Sequence, residues 1–152
     1  MATPPPFTAT ALVTEVAERT FTAQLEYLPE AVAFLSACAA DHGLPPDRVG
    51  EIELVAEEVL VNIIKYAYPE GTGEVRVTCA ADEAGQVVMT FTDSGVAFDP
   101  LALPPPDTSA DVEVRQVGGL GVFFVRELSE EVTYERRDHR NHLRLSFGRR
   151  AP

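Results

Sequence analysis

An uninterrupted stretch from Glu51 to Tyr68 constrains the fold more than any other part of this sequence. It contains neither glycine nor proline, and it is long enough to form a helix. Apolar residues recur along it at helical spacing and form one stripe: Ile52, Val55, Ala56, Val59, Ile63 and Tyr66. Val61 and Ile64 lie off this stripe, so the second half of the helix is expected to be covered on more than one side.

Two polar residues, Glu58 and Asn62, lie beside the apolar stripe. Four residues at about 100° each leave the two side chains about 40° apart and one turn apart along the helix. Lys65 lies on the same side. Taken alone, such a pair is more typical of the solvated edge of an amphipathic helix than of a functional site. Two further motifs change this interpretation.

The totals indicate one ordinary globular domain. The chain has 152 residues, of which 45% are hydrophobic and 24% charged. It has no apolar run long enough to cross a membrane, and its start, with Pro4 to Pro6, does not resemble a secretion signal. We therefore expect a cytoplasmic protein without membrane contact, consisting of a flexible segment 1–16 and one domain over 17–150.

Charge and cysteine content exclude further classes. The formal net charge of −12 argues against direct binding of nucleic acid, although six of the twelve basic residues lie within 136–150. Cys38 and Cys79 are isolated within apolar patterns. They are expected to be core thiols in a reducing compartment rather than a disulfide or a metal site.

The order of the predicted elements indicates an α+β fold. A strand over 20–25 is followed by a helix that begins near Pro29 and ends before Gly43, and then by the helix described above. Alternating strands over 74–79 and 86–92 are joined by a turn at 82–85. A final hairpin covers 131–147, with its turn at 138–141. A layer of helices on one face of a sheet is the simplest packing of these elements.

The second motif runs from Asp93 to Pro100 and reads DSGVAFDP. An acidic residue at the end of an apolar strand, followed closely by Gly95, suits a turn where a ligand approaches the backbone. The carboxylate can accept a hydrogen bond from an exocyclic amine. An Asx turn that merely closes the strand fits the same residues equally well.

The third motif, Gly118-Gly119-Leu120-Gly121, follows a long segment, 101–117, that has no clear periodicity. Glycines before a helix let backbone N–H groups approach phosphate oxygens. A loop of this length in a compact domain is typical of a lid or of a disordered linker, so we interpret 101–117 as a lid.

The three motifs, in this order, resemble the N, G1 and G2 boxes of the GHKL (Bergerat-fold) ATPases. Within that superfamily the sequence is similar to the anti-sigma-factor serine/threonine kinases of the RsbW type, from about Thr20 to Phe147. The resemblance includes the ending, from Val125 through 134–137 to Arg140-Asn141 and Leu143. It implies a two-layer sandwich with a mixed, mostly antiparallel sheet and ATP between the helices and the lid.

The resemblance also implies roles for individual residues. Glu58 is the general base, and Asn62 binds Mg²⁺, a cation that takes few protein ligands. Asp93 accepts a hydrogen bond from the adenine amino group, with Gly95 admitting the base. The remaining positions expected to contact ATP are Lys65, Phe98, Gly118, Gly119, Leu120 and Gly121.

The function implied is that of an ATP- and Mg²⁺-dependent anti-sigma-factor kinase. Such a protein sequesters a sigma factor and phosphorylates a STAS-domain anti-anti-sigma protein, and it usually forms a homodimer, for which the strand near Phe21 is a plausible seam. The alternative is a non-catalytic, nucleotide-dependent switch that holds a partner. A third reading, an ATPase domain serving a histidine kinase in trans, is weaker because no helical hairpin with a phospho-acceptor histidine is present.

Overall fold

A five-stranded sheet with helices packed on one face forms the body of the protein. The computed structural model describes residues 15–102 and 119–149. The strands and helices are, in chain order, β1 (Ala17–Thr22), α1 (Leu28–Asp41), α2 (Pro46–Tyr66), β2 (Glu74–Ala81), β3 (Val87–Asp93), α3 (Gly119–Leu128), β4 (Glu131–Arg137) and β5 (Arg140–Phe147). Short 3₁₀ turns cover Leu25–Tyr27 and Pro100–Ala102.

The strand order is β1-β2-β3-β5-β4, and the four pairings are antiparallel. The α+β class with a mostly antiparallel sheet is therefore confirmed, and within the described residues the sheet contains no parallel pair. Two hairpins, β2–β3 and β4–β5, supply the pairs that are adjacent in sequence, and β5 pairs with β3 to join them. This pairing brings the end of β3 beside the start of β5.

The β4–β5 turn is tighter than the sequence predicts. Asp138 and His139 have φ values of 54° and 62°, the left-handed conformation that a two-residue hairpin turn needs at both central positions. The predicted turn at 138–141 is therefore two residues too long, because Arg140 and Asn141 belong to β5. Asn141, which was predicted to lie in the turn, is a buried residue of β5.

Helix α2 spans the inner face of the sheet and contributes the centre of the core. Its buried residues include Ile52, Val55, Ala56, Val59 and Leu60. The predicted stripe is thus confirmed over its first part, whereas Tyr66 is 39% exposed and does not belong to the core. Val61 and Ile64 are both partly buried, which agrees with coverage on more than one side.

The inner face of the sheet completes the core with alternate residues of the central strands. Val77, Met89, Phe91, Leu145 and Phe147 are at most 1% exposed and pack in one cluster with α1 and α2. This alternation is the pattern from which the strands were predicted. Helix α1 begins at Leu28 with Pro29 in its first turn, and Gly43, at φ 86°, directly follows its C-cap and terminates it.

The prediction for the two cysteines is wrong. Cys38 of α1 and Cys79 of β2 form a disulfide, with a Cα–Cα distance of 6.5 Å. Cys38 lies on the side of α1 that packs against the sheet, and Cys79 lies on the facing side of β2. Tertiary packing therefore brings together two residues that are 41 positions apart in the sequence. Isolated cysteines in apolar patterns give no sign of such a contact in the sequence.

Two predictions concern segments outside the described residues. They are the flexible N-terminal segment, of which only residues 15 and 16 are described, and the lid 101–117, of which only its first two residues are described. Among the described helices, none is both long and apolar enough to cross a membrane.

Candidate functional site

A cavity opens where the end of β3 meets the middle of α2 and the last turns of α3. It contains about 570 Å³ of empty space, part of which is open to solvent. Its walls are mostly apolar, and three polar side chains that face it are Asn62, Asp93 and Asn141. The other lining residues are Val59, Ile63, Ala67, Phe91, Phe98, Pro100, Leu101, Val125, Tyr134 and Leu143. An apolar cleft with a few convergent polar groups is the usual form of a small-molecule site.

Asp93, the last residue of β3, lies in this cavity and is only 5% exposed. Its Oδ1 accepts hydrogen bonds from the Gly95 backbone N–H and from Asn141 Nδ2, both at 2.9 Å. The hydrogen bond from Gly95 closes an Asx turn, so the predicted Asx turn is present and uses Oδ1. The Oδ2 atom has no hydrogen-bond partner within the described part of the chain, and it is therefore available to a ligand.

Asn141 is a residue of the site that was not predicted as one from the sequence. Strand register places it directly opposite Asp93, and it is 6% exposed. Its amide nitrogen donates to Asp93 and to the Val96 carbonyl at 2.8 Å, while its Oδ1 accepts from the Phe98 N–H and the Tyr134 hydroxyl. Asn141 therefore fixes both the carboxylate and the loop that follows it.

The loop after Asp93 is docked on the C-terminal end of α2. The Val96 N–H donates to the Ala67 carbonyl at 2.8 Å, and Arg136 donates to the Gly95 carbonyl at 2.8 Å. A Cβ atom at Gly95 would lie 2.2 Å from the Ala67 carbonyl oxygen. Gly95 is thus required for the close approach of this loop to α2, and its role in admitting the base stays a prediction.

Tyr68 holds the other side of the same loop. Its hydroxyl donates to the Glu74 carbonyl and accepts from the Ser94 N–H at 3.0 Å. Because Tyr68 and Ala67 directly follow α2, the helix that carries Glu58 and Asn62 also anchors the turn at Asp93. Two of the three predicted motifs are therefore one structural unit.

Glu58 and Asn62 lie one turn apart on α2, and both are partly buried. Asn62 lines the cavity, and its amide makes no hydrogen bond within 15–102 and 119–149. Burial raises the pKa of Glu58 and the neighbouring Glu57 raises it further, while Lys65 opposes both. A carboxylate with a raised pKa is a stronger base than an ordinary one, which suits proton abstraction.

The other predicted site residues are divided between the cavity and its surroundings. Phe98 lines the cavity, and its ring lies 6.1 Å from that of Tyr66. Lys65 is exposed on the last turn of α2. Gly119, Leu120 and Gly121 form the start of α3, whereas Gly118 lies outside the described residues.

The residues present fit ATP with Mg²⁺. The apolar walls suit a flat heterocycle, the free Oδ2 of Asp93 suits an amino group, and an unpaired amide oxygen at Asn62 suits a hard cation that keeps most of its water and phosphate ligands. The glycine-rich start of a helix offers backbone N–H groups to phosphate. Among the described residues, none forms a hydrogen bond with Asp93 Oδ2 or with the Asn62 amide that would compete with a ligand.

Comparison with known proteins defines the class. Residues 21–147 match the model of the histidine kinase-like ATPase domain, and the chain belongs to this family. The structure of the SiaB–SiaC complex of Pseudomonas aeruginosa shares the fold, with a TM-score of 0.61 at 19% identity over 93% of this chain and 92% of that one. The RsbU and RsbW domains of a Mycobacterium tuberculosis protein superpose with a TM-score of 0.62 at 16% identity, over 88% of this chain and 32% of that one.

Within the family the chain is of the RsbW type. It is 30% identical to the serine/threonine-protein kinase BtrW of Bordetella bronchiseptica over 62% of this chain and 67% of BtrW. It is 28% identical to the serine-protein kinase RsbW of Listeria monocytogenes over 73% of this chain and 76% of that protein. The predicted family and the predicted enzyme class are thereby confirmed at the level of the family.

Proposed function

We propose that this chain binds Mg-ATP in the cavity beside Asp93 and transfers the γ-phosphoryl group to a serine or threonine of a small STAS-domain protein. In a second, exclusive complex it holds a sigma factor. The observation that carries the proposal is the carboxylate of Asp93, fixed by Asn141 in an apolar cavity that Asn62 also lines. Glu58, with its raised pKa, lies one turn from Asn62.

The cavity favours adenine over guanine for an electrostatic reason. Asp93 Oδ2 accepts hydrogen bonds and cannot donate while ionised. The amino group of adenine supplies a donor, whereas guanine presents a carbonyl oxygen at the corresponding ring position. A second acceptor facing a buried carboxylate leaves both unpaired, which makes such sites strongly selective.

The start of α3 and the amide of Asn62 are suited to the triphosphate. Backbone N–H groups and the helix dipole at Gly119 favour negative charge. Asn62 would hold Mg²⁺ through its amide oxygen, and the bound ion supplies positive charge for the phosphate oxygens. Lys65, on the same side of α2, adds a mobile positive charge nearby.

Glu58 acts as the base for the acceptor hydroxyl. The hydroxyl proton moves to the Glu58 carboxylate while the hydroxyl oxygen bonds to the γ-phosphorus and the bond from that phosphorus to the β-phosphate oxygen breaks. The products are a phosphoserine or phosphothreonine and ADP. Since most of the catalysis of phosphoryl transfer comes from positioning, Glu58 has to orient the hydroxyl as well as accept its proton.

The proposed partners rest on the relatives, which are named as serine kinases, and on the complex that SiaB forms with SiaC. We further propose a cytoplasmic homodimer. The position of β1 at the edge of the sheet supports the homodimer, because an edge strand presents unpaired backbone groups to a second copy.

The test is a titration with ATP and with GTP, each with and without Mg²⁺, followed by assay of transfer to a STAS-domain serine. We expect ATP to bind in an Mg²⁺-dependent manner and GTP not to bind. Asn62→Ala should remove the Mg²⁺ dependence of ATP binding. Asp93→Asn should lower the affinity for ATP strongly while it lowers the stability of the fold only a little. Glu58→Gln should bind ATP without transferring phosphate.

Three results would count against the proposal. Equal affinity for ATP and GTP would remove the role of Asp93, and transfer by Glu58→Gln would remove Glu58 as the base. Tight ATP binding without transfer to any partner by the wild type would favour the non-catalytic switch.

A further inference from the structure

Arg48, in the first turn of α2, is the largest fully buried side chain of the described residues and is only 2% exposed. Its Nε donates to the Gly148 carbonyl at 2.9 Å. Its Nη1 donates to Glu51 at 2.8 Å and to the Leu128 carbonyl, and its Nη2 donates to the Glu130 carboxylate. One guanidinium group therefore joins the start of α2 to the end of α3 and the end of β5.

The contacts explain why a buried charge is tolerated here. Burial of an unpaired guanidinium would be costly, whereas this one is paired with two carboxylates and two carbonyl oxygens. Leu128 is the last residue of α3, where a helix carbonyl has no intrahelical partner, and here Arg48 donates to it. A cation at this end also interacts favourably with the helix dipole.

Arg48 contacts the helix that borders the cavity described above. Helix α3 has 10 residues, about 15 Å from end to end, and the glycine-rich turn is at the end away from Arg48. Val125, one turn before Leu128, lines the cavity together with Val59 and Asn62. Arg48 therefore joins the start of α2 to the end of α3, and α3 borders the cavity within one turn of that contact.

We propose that Arg48 is a positioning residue for the phosphate half of the nucleotide site. It fixes the end of α3 and thereby sets where the N–H groups at Gly119 to Gly121 lie. The adenine half is held by Asp93, Asn141 and the end of α2, none of which is a hydrogen-bond partner of Arg48. The inference rests on the proposed binding of Mg-ATP to this cavity.

The experiment compares the affinity for Mg-ATP with the affinity for adenosine, which lacks the phosphates. We expect Arg48→Lys and Arg48→Met to lower the affinity for Mg-ATP about tenfold or more, because charge-assisted hydrogen bonds that fix α3 are lost. Adenosine binding should change by no more than about twofold. Glu130→Gln, which alters one exposed partner of Arg48, should lower the ratio of the two affinities less, in the same direction.

A matched control is Arg19→Lys, because Arg19 forms an exposed ion pair with Glu30 away from the cavity. It should leave both affinities unchanged. If Arg48 has only a structural role, its substitution should lower the affinities for Mg-ATP and for adenosine by the same factor. That result would overturn the inference. If Arg48→Met does not fold, an unchanged ratio in both Arg48→Lys and Glu130→Gln would overturn it instead.

The failure of the proposed function would look different. A wild-type protein that binds neither Mg-ATP nor adenosine would refute the nucleotide site itself, and the role of Arg48 would be refuted with it. A wild type that binds Mg-ATP far more tightly than adenosine, with the same ratio in all Arg48 variants, would leave the proposed function intact and reject the positioning role alone.

Discussion

At the scale of single residues, the site depends on which polar atoms are paired within the fold and which are left for a ligand. Asn141 uses its amide nitrogen and oxygen on four neighbours, so its orientation is fixed. It thereby leaves Asp93 with one oxygen occupied and one free. A carboxylate in this state is preorganised for a single donor, and no rearrangement has to precede binding.

Glu58 leads to a prediction on pH dependence. A base must be deprotonated, so phosphoryl transfer is expected to fall as the pH drops through the pKa of Glu58, which lies above its usual value. Glu57→Gln removes a charge that raises this pKa and should move the acid limb to lower pH. Lys65→Gln removes a charge that lowers it and should move the limb to higher pH.

The measurement is the pH profile of kcat at saturating ATP for the wild type and both variants, with Glu131→Gln, an exposed change on β4, as the control. Opposite shifts by the two variants are the expected result. Shifts in the same direction, or none, would mean that the acid limb reports a different group.

At the scale of secondary-structure elements, the end of α2 and the loop after β3 behave as one unit. The Val96 N–H donates to the Ala67 carbonyl, and the Ser94 N–H donates to the Tyr68 hydroxyl. The Gly95 carbonyl accepts a hydrogen bond from Arg136. The helix that carries the proposed base and metal ligand therefore also sets the position of the adenine-binding carboxylate. A displacement of the loop is expected to disturb nucleotide binding without a change in any group that touches the nucleotide.

Gly95→Ala tests this coupling. The new Cβ would lie 2.2 Å from the Ala67 carbonyl oxygen, a backbone atom that cannot rotate away, so the loop must move. We expect a loss of stability of about 1–3 kcal/mol and at least about tenfold weaker ATP binding. Thermal unfolding and ATP titration check both values.

Gly71→Ala is the matched control, since a Cβ at Gly71 would meet no atom within 4 Å. It lies on the same side of the fold, in the connection between α2 and β2. Wild-type ATP affinity in Gly95→Ala would show that the loop tolerates displacement and that the two elements are not coupled.

At the scale of the whole molecule, the disulfide joins the helical layer to the sheet. It links α1 to β2 and closes a loop across 41 residues of sequence, which contains all of α2. A cross-link of this span reduces the freedom of the unfolded chain and thereby stabilises the folded one. The stability of the helical layer is therefore expected to depend on the redox state.

Replacement of both cysteines by serine should lower the free energy of unfolding by about 3–4 kcal/mol relative to the oxidised protein, by the loop-entropy relation. Denaturant unfolding with and without a dithiol reductant measures the effect. The reductant should shift the wild type and leave the double variant unchanged. An oxidised wild type as stable as the reduced one would contradict the prediction.

Most of the architecture was predictable because it follows from local patterns. The uninterrupted apolar period of α2, the alternation in β2, β3 and β5, and the breakers between them gave the elements within a few residues. The order of the three motifs, by resemblance, gave the family. The resemblance also selected Asn62, Asp93 and Phe98, and the structure places all three side chains at one cavity.

The sequence by itself determined which segments form helices and strands, because the period of apolar residues is set by backbone geometry. Tertiary structure alone decided the contacts between segments far apart in the chain. These are the pairing of Asp93 with Asn141, the burial of Arg48 against Leu128 and Glu130, and the disulfide. Each depends on strand register or on helix packing, which bring together residues 41 to 82 positions apart, and no local pattern encodes such distances.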